Sequence, residues 1–94
     1  MSYDSVLDGL KAGKAGSGLP CADVRALLEQ VGFHVKDGAN GGHKVVTHPH
    51  VPDFTSTGYN CRGGNGEVSR NYLGLLIRVM RQHKDAIKRH LGEQ

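Results

Sequence analysis

Val24, Leu27, Leu28 and Val31 recur at i, i+3, i+4 and i+7, the spacing of one buried helical stripe. They predict a helix over 21–31, with Pro20 suited to its entry and Gly32 placed for a left-handed C-terminal residue. Ahead of it, Val6, Leu7 and Leu10 share one side of a short helix over 4–12. The run from Lys11 to Gly18 carries three glycines and a serine and reads as a flexible connection. Three strand-like segments follow, over 33–36, 42–47 and 54–61, the last interrupted by Gly58. Asp37 to Gly41 supplies turn chemistry between the first two, and Pro49 and Pro52 bar regular sheet after Thr47. Beyond a glycine-rich loop from Arg62 to Gly66, one long helix is expected over 69–90, capped by Ser69 or favoured by Glu67. Leu73, Leu76, Ile77, Met80, Ile87 and Leu91 form its buried stripe, and Leu75 and Val79 lie on a further face.

These elements specify an α+β chain: helix, helix, three strands, helix. A three-stranded antiparallel sheet with helices on one face is the economical way to bury such stripes. Without its first helix the order is α-β-β-β-α, the layout of a double-stranded-RNA-binding domain. The 94 residues leave room for one domain. Residues 1–18 form an extra N-terminal helix and its connection, and residues 19–94 form the core.

Charge changes the picture more by its distribution than by its sum. The formal net charge is only +3. Yet Arg70, Arg78, Arg81, Lys84, Lys88 and Arg89 crowd the last helix against a single acid, Asp85. Such a segment attracts a polyanion or an acidic protein partner, or serves as a solvated face. No apolar run approaches the roughly 20 residues of a membrane span. The start, MSYDSVLDGL, lacks a basic patch followed by an apolar stretch, so a cytoplasmic protein is expected. Cys21 and Cys61 are accordingly expected to be reduced thiols.

Two stretches carry a family likeness. Leu27 to Thr47, LLEQVGFHVKDGANGGHKVVT, resembles the helix-Gly-Phe, variable turn, Gly-Ser-His signature of HicA toxins. Gly66 to Ile87, GEVSRNYLGLLIRVMRQHKDAI, is similar to the final segment of one branch of that family. The resemblance implies a small endoribonuclease of double-stranded-RNA-binding-like fold that cuts mRNA without a cofactor and is silenced by a HicB-like antitoxin. It places the catalytic histidine at His43. The residue before it, usually Ser or Thr in the family, is Gly42 here.

Histidine suits that chemistry. The RNA 2′-hydroxyl can attack its own phosphate, and an imidazole, with an unperturbed pKa of about 6.5, takes either proton role near neutrality. Gly41 and Gly42 are read as leaving space for a ribose-phosphate. Lys44 is a nearby charge, although a regular strand turns it to the opposite face from His43. Arg62, Arg78 and Arg81 are therefore the favoured phosphate contacts. Tyr59 and Tyr72 are read as half-buried rim aromatics or base-stacking groups. Three other readings compete: a metal site built on His48 and His50, with Cys61, His34 and His43 as further ligands, a module of the same fold that binds RNA without cutting it, and a protein-interaction domain whose charge serves an acidic antitoxin-like partner.

Overall fold

The computed structural model describes residues 2–39, 42–62 and 66–93. Among them the chain order is α1 (Ser2–Ala15), β1 (Leu19–Pro20), α2 (Cys21–Gln30), β2 (His34–Asp37), β3 (His43–Thr47), β4 (Thr57–Asn60), β5 (Glu67–Val68), α3 (Arg70–Gln82) and α4 (Lys84–Leu91). Strands β2, β3 and β4 form an antiparallel sheet in that order, as expected for an α+β fold. Two-residue strands β1 and β5 pair separately, through Leu19 with Val68 and Pro20 with Glu67.

Alternation along the strands decides which face the helices cover. Val35, Val46 and Tyr59 are buried and share one face, because Val35 lies opposite Val46 and Lys44 opposite Tyr59. Against them pack Val24 and Leu28 of α2, and Leu73, Leu76, Ile77 and Met80 of α3, in one hydrophobic cluster. The other face presents His34, Lys36, His43, Val45, Thr47, Gly58 and Asn60.

Helix α2 follows its sequence stripe, and Gly32 turns the chain into β2 at φ +95°, a conformation that side chains with a Cβ rarely take. Helix α1 is longer than its apolar spacing suggested. The Glu93 carboxylate accepts from the backbone N–H groups of Ser2 (3.0 Å) and Tyr3 (3.2 Å), satisfying donors that a first turn leaves open. At its other end, Arg70 Nε donates to the Lys14 carbonyl at 2.8 Å.

The C-terminal segment, expected as one helix over 69–90, is two helices that meet at His83 (φ −111°, ψ 25°). No glycine or proline causes the break. Tyr3 Oη donates to the Met80 carbonyl at 2.7 Å, a side chain inserted into the helical ladder at that turn. The redirection brings Ile87 fully into the core and sets Lys88 over the Tyr3 ring, 5.4 Å from its centroid. Ser69 stands before α3 in extended conformation, but its side chain makes no capping bond. The third strand is also shorter than 54–61. Phe54 lies outside it, packed edge-on to Phe33 with ring centroids 5.8 Å apart.

The cysteines are not reduced thiols: Cys21 and Cys61 are joined in a disulfide with Cα atoms 5.6 Å apart. A separation of 40 residues says nothing about proximity in space. What brings them together is the closing corner of the fold, where Cys21 N–H donates to the Gly66 carbonyl (3.0 Å) and Cys61 N–H to the Gly42 carbonyl (2.7 Å). In the chain-entropy account a loop of that length contributes about 4 kcal/mol. Reduction, or Cys21→Ser with Cys61→Ser, is therefore expected to lower the melting temperature by upwards of about 15 °C. An unchanged melting temperature in dithiothreitol would show that the bridge adds no stability.

Candidate functional site

His43 is the first residue of the central strand β3, half-buried on the sheet face that the helices leave open. Its register partner on β4 is Asn60. Partners in an antiparallel pair project to the same side, so their side chains meet. His43 Nδ1 lies 2.9 Å from Asn60 Oδ1. An amide oxygen only accepts, so Nδ1 carries the hydrogen and Nε2 keeps its lone pair. The Asn60 amide is turned that way because its Nδ2 donates to Tyr72 Oη at 3.0 Å, from the first turn of α3. The result is a chain of three side chains, Tyr72, Asn60 and His43, that orients one imidazole.

Two glycines make the room this ring occupies. A Cβ at Gly58 would stand 3.0 Å from His43 Cε1 and 3.4 Å from Nε2. One at Gly38 would stand 2.5 Å from Cδ2. A side chain at either position would crowd the ring or cover its free nitrogen. The depression around the imidazole is lined by Gly42, His43, Asn60 and Cys61, with a volume of about 370 Å³.

The other expected site residues fall in different places. Gly41 lies outside the described residues. Gly42 does not open space for a ribose-phosphate: a Cβ there would be 2.6 Å from the Cys61 carbonyl oxygen, so the Cys61 backbone already fills that volume. The same contact accounts for glycine where the resembled family has Ser or Thr. Lys44 is on the opposite face from His43, as strand alternation required. It is tied to Asp37 at 2.6 Å, and its hydrogen bond and charge hold the Asp37 carboxyl below its usual pKa. Arg62 is exposed just after Cys61. Arg78 and Arg81 are exposed on α3, where they line a groove against α1. Among the described residues, no hydrogen bond or ion pair joins His43 to a cation.

Sequence reasoning missed Asn60 and Tyr72 as the groups that hold His43, and Gly58, read only as an interruption, as the floor under it. Tyr59 is not a rim aromatic. It is fully buried on the helix-facing side, and its hydroxyl has no hydrogen-bond partner among the described residues. Burial pushes its pKa up to about 12.

The histidine pair considered as a metal site has a structural role instead. His48 is 4% exposed. Its Nε2–H donates to the Val31 carbonyl at 2.9 Å, and its Nδ1 accepts from the His50 backbone N–H at 3.2 Å. Both ring nitrogens are thus committed. Phe33 packs edge-on to this ring, while the His50 and His90 rings stack at 4.3 Å. Among the described residues no group of three or more His, Cys, Asp or Glu is arranged to hold a metal ion.

No protein-family model, curated protein or solved structure matches this chain. The site therefore rests on its own geometry. No helix of the described residues is long and apolar enough to cross a membrane.

Burial holds the His48 pKa below the usual histidine value, and its neighbours His90, His50 and His34 add to the shift. Its folded form resists the proton that its unfolded form accepts at about pH 6.5. Its contribution is thus fully present above pH 6.5 and is lost as pH falls toward the lowered folded value. Stability is expected to decline below pH 6.5 by up to about 1.4 kcal/mol per pH unit for this one proton. Urea titrations from pH 8 to 5 should show that decline, and His48→Gln should flatten it. An equal decline in the variant would assign it to other groups.

Proposed function

We propose that this protein is an endoribonuclease of the HicA toxin type, cleaving mRNA with His43 as its catalytic residue. One observation carries the reading: an imidazole on the open sheet face, with Nδ1 committed to Asn60 and Nε2 without a hydrogen-bond partner among the described residues. A base oriented by a third group is the arrangement general-base catalysis asks for. Nε2 would take the proton of a ribose 2′-hydroxyl as that oxygen attacks the adjacent phosphorus. The 5′-oxygen leaves with a proton taken from solvent water and the imidazolium gives its own proton back to solvent, leaving a 2′,3′-cyclic phosphate and a free 5′-hydroxyl. The nucleophile belongs to the substrate, so the step needs no metal. One positioned proton-transfer group supplies about 10²–10⁴-fold, which makes a slow enzyme.

The basic residues of α3 and Arg62 are proposed to hold the RNA. A HicB-like antitoxin chain would silence the protein by covering the same surface. The proposed setting is the cytoplasm. The Cys21–Cys61 bridge stands against that part, since such bridges persist chiefly in oxidising compartments.

A second reading is a module of the double-stranded-RNA-binding type that holds RNA without cutting it. Its support is the bareness of the depression: among the described residues it is lined by Gly42, His43, Asn60 and Cys61 alone, with no acid or cation beside the histidine.

Incubation with a labelled mRNA, with and without EDTA, separates the two. Wild type is expected to cleave in both conditions, and His43→Ala to lose at least about 10²-fold in rate while its melting temperature is kept. Binding without cleavage by wild type would establish the second reading. Equal cleavage by His43→Ala would remove the histidine from the chemistry.

A further inference from the structure

Helices α1 and α3 pack together, and between them runs an open groove of about 520 Å³. Its walls are Lys11 and Lys14 from α1 and Arg70, Arg78 and Arg81 from α3, over a floor of Ala15, Gly74 and Ile77. All five cations are exposed, and among the described residues no acid lines the groove. None of the five has a salt-bridge partner among the described residues. Like charges gathered on two facing helices without counter-charges repel one another, and a polyanion relieves that repulsion.

The groove leads somewhere. Lys14 and Arg70 also line a second depression of about 570 Å³, whose rim includes Ser17, Asn71 and Arg62, with Glu67 its one acid among the described residues. Arg62 follows Cys61, which lines the depression around His43, and Asn71 precedes Tyr72, which holds Asn60. The cationic path therefore runs from the far end of α3 to the edge strand that bears the imidazole's partner.

We infer that the α1–α3 groove is a phosphate-backbone track for single-stranded RNA, with Lys11, Lys14 and Arg70 as binding residues beside Arg78 and Arg81. This rests on the RNA reading above and extends it to the N-terminal helix. Arg70 to Arg81 spans about 16 Å of helix axis, enough to face several consecutive phosphates. Three of the five groups are arginines, whose planar forks match phosphate oxygens. The floor has no aromatic side chain, so the groove grips the backbone rather than stacking bases. Gly74 has a purpose here: a Cβ at that position would stand 3.0 Å from Lys14 Cε, and without it the lysine stem lies across α3.

The test uses fluorescein-labelled polyuridine in the His43→Ala background, with dissociation constants measured over a range of KCl concentrations. Compared with that parent are Lys11→Gln/Lys14→Gln in the groove and Lys84→Gln/Arg89→Gln on α4 as a control. The lysine side chains are exposed, and the helix-joining bond from Arg70 uses the Lys14 carbonyl, so the groove variant keeps its fold; its melting temperature verifies this. Removing two phosphate contacts is expected to make the log–log salt slope shallower by about 1.4, at about 0.7 per contact for single strands. The α4 control should keep the parent slope. A parent slope in the groove variant, with RNA still bound, would overturn the groove while leaving the RNA reading intact. No binding by the His43→Ala parent or by wild type would overturn both. Displacement of the RNA by polyglutamate at equal charge concentration would overturn the RNA assignment in favour of an acidic protein partner.

Discussion

The pairing of β3 with β4 puts His43 opposite Asn60, and both the site and the closing corner of the fold hang on that register. A slip of one residue would send every side chain of β4 to the wrong face. Tyr59 would leave the core, and Asn60 would turn away from the imidazole. One step beyond the ladder, Cys61 donates its backbone N–H to Gly42 and bonds through sulfur to the start of α2. The contact that excludes a side chain at position 42 thus belongs to the same closure that fixes the histidine. Tyr72 ties this corner to α3, so the imidazole's orientation is set by one helix and two strands rather than by its own strand alone.

How far this was legible in the chain depends on the range of the forces involved. Helix α2 was readable because its stripe, its entering proline and its closing glycine all act within a dozen residues. Strands β2 and β3 lie close to where β-branched and turn residues placed them, while β4 is only Thr57–Asn60 and the β1–β5 pair had no local signal; alternation alone put Lys44 across the sheet from His43. The break at His83 was not readable: Gln82-His83-Lys84 contains no local breaker, and the hydroxyl that takes the Met80 carbonyl at that turn comes from Tyr3. The full length of α1 was hidden for the same reason, since its cap comes from Glu93 at the other end of the chain. Asn60 and Tyr72 are separated from each other and from His43 by turns whose geometry no local pattern encodes. The disulfide, too, became visible only once β1, β5 and Gly66 had brought the two cysteines to one corner.

The surface divides in a way that suits a polyanion. Among the described residues no cation is bonded to the oriented imidazole on the open sheet face, while five cations without salt-bridge partners gather between α1 and α3. Binding and chemistry are thus assigned to neighbouring regions, joined at Arg62 and the first turn of α3. Such a division would let electrostatic attraction, which is strong but indifferent to sequence, bring an RNA to the histidine proposed for its cleavage.

The central claim is that Asn60 holds His43 with hydrogen on Nδ1 and Nε2 free. Long-range ¹H–¹⁵N correlation spectra of ¹⁵N-histidine-labelled protein at pH 8 read that tautomer directly. A protonated Nδ1 and an unprotonated Nε2 are expected for His43, with the imidazole relaxing toward the ordinary tautomer mixture in Asn60→Ala. A proton found on Nε2 in the wild type, or a spectrum indifferent to Asn60, would contradict it.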